Sequence, residues 1–338
     1  MNNRDLHVLL SFDMESDIGS WTDDYVGCAK GTGRILEILA KNQIPSTFFF
    51  TGDALRNCPE SAHQVQAAGG HEIGCHTLHH ESIGNASFRC PGVQPVMPEE
   101  VFNRIAKATD LVESKAGTRP VSFRAPRGWS SNEALQALEK LGYVADSSYM
   151  AACHRKHSLP YYPSAEDWTQ SGDLAILEIP LFGGDMVGRE RDGNDWLEDD
   201  PWIALRLKGA EAVLGMIMRE AQRQHEQGNP ALACFYLHPW EYIEMPRTIT
   251  TDECRIEFHD LIWKNTGDAS VRTLDTLITG LKAENARFHT VGNFAKLWNE
   301  RSRGVEKPGD GPGRSTVAPP KGFGDCSSAE RSGRVRSP

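Results

Sequence analysis

Three things are missing from this chain. No two cysteines stand in a Cys-x-x-Cys pair. The eight, Cys28, Cys58, Cys75, Cys90, Cys153, Cys234, Cys254 and Cys326, are scattered along 338 residues. A chain of that length buries a sizeable core and needs no disulfide staples, so reduced thiols in a cytoplasm are the simplest reading. No apolar run approaches the length of a membrane span, and no membrane partner is expected. The start, Met1-Asn2-Asn3-Arg4-Asp5-Leu6, passes directly into the apolar stretch Val8 to Phe12. That stretch is too short for a signal h-region and lacks a cleavage site, which again points to a cytoplasmic location. Positive charge is in deficit: 36 Lys and Arg stand against 46 Asp and Glu, a net charge of −10. A broad nucleic-acid surface is therefore not expected.

What is present is a repeated alternation of short apolar runs and helical patterns. Residues 6–13 read as a buried strand ending in acids, and 31–41 as a helix with Ile35, Leu36, Ile38 and Leu39 on its apolar face. Strands are expected at 46–50, 71–75, 121–124, 143–147, 174–179, 231–237 and 287–291. Helices are expected at 60–68, 98–115, 132–141, 202–227, 271–283 and 294–300. Seven or eight β/α units of this kind predict a parallel sheet or a closed barrel. Three long insertions, 150–172, 183–200 and 242–268, read as structureless loops after strands, on the C-terminal face where barrels keep their active sites. From Gly304 onward the composition turns to Gly, Pro, Ser and Arg. The expected organisation is a barrel over 1–303 and a disordered tail over 304–338.

Four clusters of reactive side chains sit where these strands end. His76 and His80, four apart in His76-Thr77-Leu78-His79-His80, come to one side of a helical turn or tight loop. His79 is the less favoured partner. In Asp13-Met14-Glu15 the two acids point to the same side of an extended chain. A carboxylate and two imidazoles are the usual way to hold a divalent metal with open positions, which implies hydrolysis more than structure. One acid would ligate while the other takes a proton from water; Asp17 is a third acid nearby. Arg124, in Phe123-Arg124-Ala125-Pro126-Arg127-Gly128-Trp129, would orient a carboxylate base. Trp129 would offer an apolar wall to a substrate face. His238, in Phe235-Tyr236-Leu237-His238-Pro239-Trp240-Glu241, is placed for general acid work on a leaving amine, with Asp146 as a partner that raises its pKa. Taken singly, each cluster has a plain alternative: surface histidines, a solvated strand end, a salt-bridged loop, a core histidine, a turn aspartate. Taken together they share one face, which independent decoration would not produce.

The order Phe12-Asp13-x-Glu15, His76-Thr77-x-x-His80, Arg124-x-Pro126-x-Gly128, Asp146-Ser147-Ser148, Leu237-His238-Pro239 resembles the NodB-homology polysaccharide deacetylases, carbohydrate esterase family 4. The resemblance spans most of the chain before the tail. It implies an α/β fold of the distorted (β/α)7-barrel kind. It also implies removal of N-acetyl groups from amino sugars with a divalent metal, usually Zn2+. The common pattern of the family has two adjacent aspartates, and Met14 stands at the second position here. The chain is more similar to the intracellular branch with acids one residue apart, peptidoglycan-deacetylase-like and allantoinase-like, as are Gly31 to Leu36 and Glu72. On that branch the base maps to Asp13 and the metal ligands to Glu15, His76 and His80. Arg124, Asp146 and His238 complete the catalytic set, and Glu72, Trp129 and Trp240 are substrate contacts. The resemblance thus implies a metal-dependent hydrolase of C–N amide bonds acting on a small-molecule or carbohydrate substrate. A cyclic-amide or imide hydrolase and a non-catalytic carbohydrate-binding barrel are the alternatives. Self-association into a homo-oligomer stays open.

Overall fold

The computed structural model describes residues 1–20, 22–86, 93–184, 197–250, 252 and 254–304. Its centre is β1 (Leu6–Met14), buried along its whole length, as a strand covered on both faces must be. In register with it on one side runs β7 (Ala231–Leu237), Leu6 beside Ala231 and Phe12 beside Leu237. The upper part of its other side pairs with β2 (Thr47–Phe50), and the lower part with β10 (Arg287–Phe288). The sheet continues through β3 (Glu72–Cys75), β4 (Ser122–Phe123), β5 (Ala145–Asp146) and β6 (Leu177–Glu178), every pairing parallel. Just beyond β6 the Phe182 N–H donates to the Cys234 carbonyl of β7 at 2.7 Å. The sheet is thereby curled into a distorted barrel.

Period-two alternation along β1 decides what lies where. Leu10, Phe12 and Met14 point outward into the layer shared with the helices. Leu9 points inward, with Phe49, Ala145, Leu177 and Cys234. Asp13 and Glu15 continue the inward face toward the C-terminal mouth. Met14 is fully buried among apolar neighbours, so an acid there would face away from the barrel interior.

The helices follow the expected order. They are α1 (Asp17–Ser20), α2 (Thr32–Asn42), α3 (Gly52–Asn57), α4 (Pro59–Ala68), α5 (Val101–Ala116), α6 (Asn132–Lys140), α8 (Pro201–Lys208), α9 (Ala210–Glu226), α11 (Asp268–Ala283) and α12 (Val291–Gly304). Local chemistry sets several boundaries. Thr51 and Ser131 cap α3 and α6 by accepting the N–H of Ala54 and Ala134. Gln43 ends α2 in the left-handed region.

Three expectations are corrected. The single helix over 202–227 is two, because Gly209 adopts φ 85°, ψ 170°, a conformation all but reserved for glycine. The insertions are not structureless: they hold α7 (Ala151–His154), the antiparallel hairpin of β8 (Thr248–Thr250) and β9 (Arg255–Glu257), and α10 (Asp260–Trp263). Most strands on the β4–β6 side are shorter than their apolar runs. Of the expected tail, Gly304 closes α12, and 305–338 lies outside the described residues, as does 185–196 within the second insertion. No described helix is long and apolar enough to cross a membrane.

Candidate metal centre and active site

Glu15, His76 and His80 meet at the C-terminal mouth of the barrel. Their ligand atoms all lie within 4.8 Å of one another, and all three residues are buried. Glu15 Oε2 is 2.5 Å from His80 Nε2 and 3.4 Å from His76 Nε2. The His76 ring is oriented by its Nδ1, 2.7 Å from the Arg124 carbonyl. With Nδ1–H donating there, Nε2 carries a bare lone pair. That atom is buried, has no hydrogen-bond partner among the described residues, and is aimed at Glu15 Oε2. Lone pairs facing each other in a dry site are the arrangement a cation resolves, and the second-nitrogen bond to a carbonyl is how metal-ligating histidines are held. The donor set therefore fits a divalent ion. Burial pushes the Glu15 carboxyl up, but His80, His76 and His238 outweigh it and hold it well below the usual range. Burial lowers the His80 imidazole, favouring the neutral form that can ligate.

The histidine loop is held by strain and by its neighbours. Thr77 and His80 have φ of 66° and 56°, which costs about 1–3 kcal/mol per residue. The N-terminus of α3 secures the loop: Gly52 N–H donates to the Thr77 carbonyl and Asp53 N–H to that of Leu78, each at 3.0 Å. A Cβ at Gly52 would lie 2.6 Å from a Leu78 methyl and 3.0 Å from the Leu78 carbonyl oxygen, so this close approach favours glycine. His79 points away, its side chain 43% exposed and bonded to Asp53.

Asp13 lies beside the trio. Its Oδ1 accepts from Arg124 Nη1 at 2.8 Å, and its Oδ2 is 4.0 Å from His76 Nε2. Arg124 is 1% exposed, bonded also to Ser11 Oγ and to the carbonyl and hydroxyl of Ser147, with its guanidinium over the Phe49 ring. Four of its five N–H donors thus have fixed partners, so Asp13 is oriented by a rigid fork.

His238 closes the other side, Nε2 at 3.8 Å from Glu15 Oε1. Here the structure corrects the expected partner. Asp146 accepts from Ser148 Oγ at 2.6 Å and is paired with the buried Glu178, away from the mouth. The His238 Nδ1 instead lies 3.0 Å from Glu241 Oε1, which also accepts the His238 backbone N–H. Glu241 Oε2 is bonded by the buried Arg206 at 2.8 Å. Burial lowers the His238 pKa, but the Glu241 bond and the charges of Glu15, Glu241 and Asp13 outweigh it, and the shift is upward. Trp240 stacks on the imidazole at 5.1 Å and Trp202 meets its edge at 5.3 Å. The loop cannot recede, because a Cβ on Gly31 would lie 2.1 Å from the Pro239 carbonyl oxygen and one on Gly27 2.5 Å from Trp240 backbone.

Two expected substrate contacts fall elsewhere. Glu72 sits at the N-terminal end of β3, bonded to Ser122 Oγ and to the Gly292 N–H, a strand length away from the mouth. Trp129 is 1% exposed, packed beneath the Arg127 guanidinium, and does not line the cavity. Trp240 does. That cavity has a volume of about 350 Å³, with Asp13, Glu15, His76, His80, Arg124 and His238 at its floor. Glu241, Arg206, Trp202 and Asp200 were not singled out from sequence. Only Glu241 had a signal, its spacing of three from His238 in the turn His238-Pro239-Trp240-Glu241, the offset at which a side chain reaches back to a backbone N–H.

A curled parallel barrel carrying a carboxylate and two imidazoles at its C-terminal mouth defines an α/β-barrel protein with an open metal-type site. The model of the polysaccharide deacetylase family matches residues 2–145. The chain is 30% identical over 184 residues to a chitooligosaccharide deacetylase of Bradyrhizobium, covering 51% of this chain and 73% of that one. With a peptidoglycan deacetylase of Helicobacter pylori the identity is 28% over 178 residues, 51% of this chain and 55% of that protein. The chain belongs to the polysaccharide deacetylase family. It spans about half the length of the first curated relatives it matches. The crystal structure of Puue allantoinase shares the fold, with a TM-score of 0.56 at 15% identity, over 87% of this chain and 90% of that one.

Proposed function

We infer that the protein is a metal-dependent hydrolase of C–N amide bonds, an N-deacetylase of amino sugars or their oligomers. The observation that carries this reading is the bare His76 Nε2, buried and aimed at Glu15 Oε2 beside His80. Glu15, His76 and His80 would hold the ion, Zn2+ in this reading. A bound divalent cation polarises a carbonyl and acidifies water.

The remaining chemistry belongs to the chain. Asp13 Oδ1 is engaged by Arg124, which leaves Oδ2, on the side of the trio, to take the proton of the attacking water. Arg124 keeps that carboxylate aimed. His238 Nδ1–H donates to Glu241, so Nε2 faces the mouth and carries the proton to the leaving nitrogen. Glu241, itself neutralised by Arg206, stabilises the imidazolium this requires. Trp240 stacks on the ring and Trp202 packs against its edge, which fixes its orientation.

A cyclic amide or imide is the second reading. It is favoured by the cavity, which has apolar walls and a volume suited to a small ligand. The test is a panel assayed with zinc-loaded protein: acetate release from N-acetylated chitooligosaccharides, and ring opening of hydantoins and imides. Turnover of the sugars supports the first reading, and ring opening alone the second. Absence of both, with zinc bound, would contradict the amide-hydrolase reading.

A further inference from the structure

The hairpin of β8 and β9 stands apart from the barrel sheet. It forms a two-stranded sheet of its own, and β9 pairs with no other strand among the described residues. Arg255, Ile256 and Glu257 are all exposed, Ile256 to 40%. Such an edge is a template for another strand, and proteins ordinarily blunt it with proline, a bulge or charge. This one holds no proline, and its two charges are opposite in sign.

The ladder shows which backbone groups are open. Phe258 N–H donates to the Arg247 carbonyl at 2.9 Å, and Ile249 stands opposite Ile256 in the same register. Bonded and non-bonded pairs alternate along an antiparallel ladder. Ile256 therefore directs its N–H and carbonyl to β8, while those of Arg255 and Glu257 turn outward. A second copy of the edge satisfies all of them. With the two strands antiparallel about a two-fold axis at Ile256, Arg255 of each copy faces Glu257 of the other. Every outward N–H then meets a carbonyl, and opposite charges stand side by side. The two Ile256 side chains meet in the non-bonded pair, where side chains approach most closely. An axis at Arg255 or at Glu257 would instead set like charges face to face. Within the hairpin Arg247 bonds to Glu257 Oε1, which leaves Oε2 for the arginine across the axis.

We propose that β9 is a homotypic docking edge, through which two copies of this chain associate by antiparallel strand pairing. The run Arg255-Ile256-Glu257 is its own complement in both charge and hydrogen bonding, and this selects a second copy over a foreign strand. So short an edge buries too little surface for a permanent dimer, so the association is reversible and depends on concentration.

Sedimentation velocity of the full chain over a range of concentrations tests it. Wild-type protein is expected to pass from monomer to dimer as concentration rises into the high micromolar range. Arg255→Glu and Glu257→Arg each place like charges across the axis and should raise the dimer Kd by about tenfold or more. Mixed in equal amounts, the two variants should associate again, because each now offers the charge the other lacks. The two changes combined in one chain should also restore the dimer. Both side chains are exposed, and neither backbone position bonds to β8, so the hairpin itself is spared. A wild type that stays monomeric, variants that dimerise as well as the wild type, or a mixture that associates no better than its components would overturn the assignment.

Discussion

At the scale of single residues, the site rests on which atom of each side chain is already engaged. His76 is tied through Nδ1 and His79 is tied to Asp53 outside the mouth. His76→Ala and His80→Ala should each abolish zinc binding, while His79→Ala should leave it within a factor of a few. Elemental analysis of the purified variants checks this, and loss of zinc in His79→Ala alone would show the wrong imidazole has been chosen. Asp13 and Glu15 were legible as a pair because alternation on one strand fixes a common face. Asp13→Asn should keep zinc and lose nearly all turnover, and Glu15→Gln should weaken zinc binding; the reverse pattern would mean their roles are exchanged. The partner of His238 was not legible. Asp146 and Glu241 are both acids near strand ends, and only the backbone path shows that Glu241 folds back onto the ring. Glu241→Gln should lower kcat on an amide by roughly 10²-fold, with a much smaller loss on an activated phenyl ester whose leaving group needs no proton. Equal losses would show that Glu241 only shapes the loop.

Asp146 has a different consequence. Burial, countered by its bonds to Glu178 and Ser148, pushes its pKa from 3.8 to about 6. The folded form therefore binds more protons than the unfolded one between these values. The associated stability is fully present below pH 3.8 and is lost as pH rises through about 6. The urea midpoint should fall between pH 4 and pH 7, and fall less in Asp146→Asn. An identical slope in the two proteins would remove the carboxyl from this account.

At the scale of elements, strand and helix order could be read from apolar periodicity, and the breaks could not. Gly209 was invisible within 202–227 because α8 and α9 are both apolar enough to continue one pattern, and only its φ and ψ separate them. Glu72 was misplaced for a related reason. Being near the histidine motif in sequence means nothing when a four-residue strand carries its ends about 10 Å apart. The approach of the segment Gly27–Gly31 to the Pro239 loop was likewise hidden, since glycine in sequence does not say what lies against it. Gly31→Ala would drive a methyl into the Pro239 carbonyl. It should lower the melting temperature and cut amide turnover together, without changing zinc content. Thermal denaturation and zinc analysis on one preparation test it, and unchanged turnover would free His238 from dependence on this contact.

At the scale of the whole molecule, a barrel gathers the ends of β1, β3, β4 and β7 at one mouth, and that gathering made the site readable before any contact was known. The apolar wall above it was not readable, because Met150 and Ile262 come from insertions, Leu181 from the end of a strand run and Trp202 from α8, with no shared pattern. The segment 305–338 is rich in Gly, Pro, Ser and Arg, a composition from which no docking on the barrel is expected. Its deletion should leave melting temperature and turnover unchanged, and a marked fall in either would give it a docking role. The central claim, that Glu15, His76 and His80 hold a catalytic divalent ion, is met most directly by calorimetric titration of chelator-stripped protein with zinc. One zinc per chain in the wild type, and none in His76→Ala, is the predicted result. No binding in the wild type, or undiminished binding in His76→Ala, would contradict it.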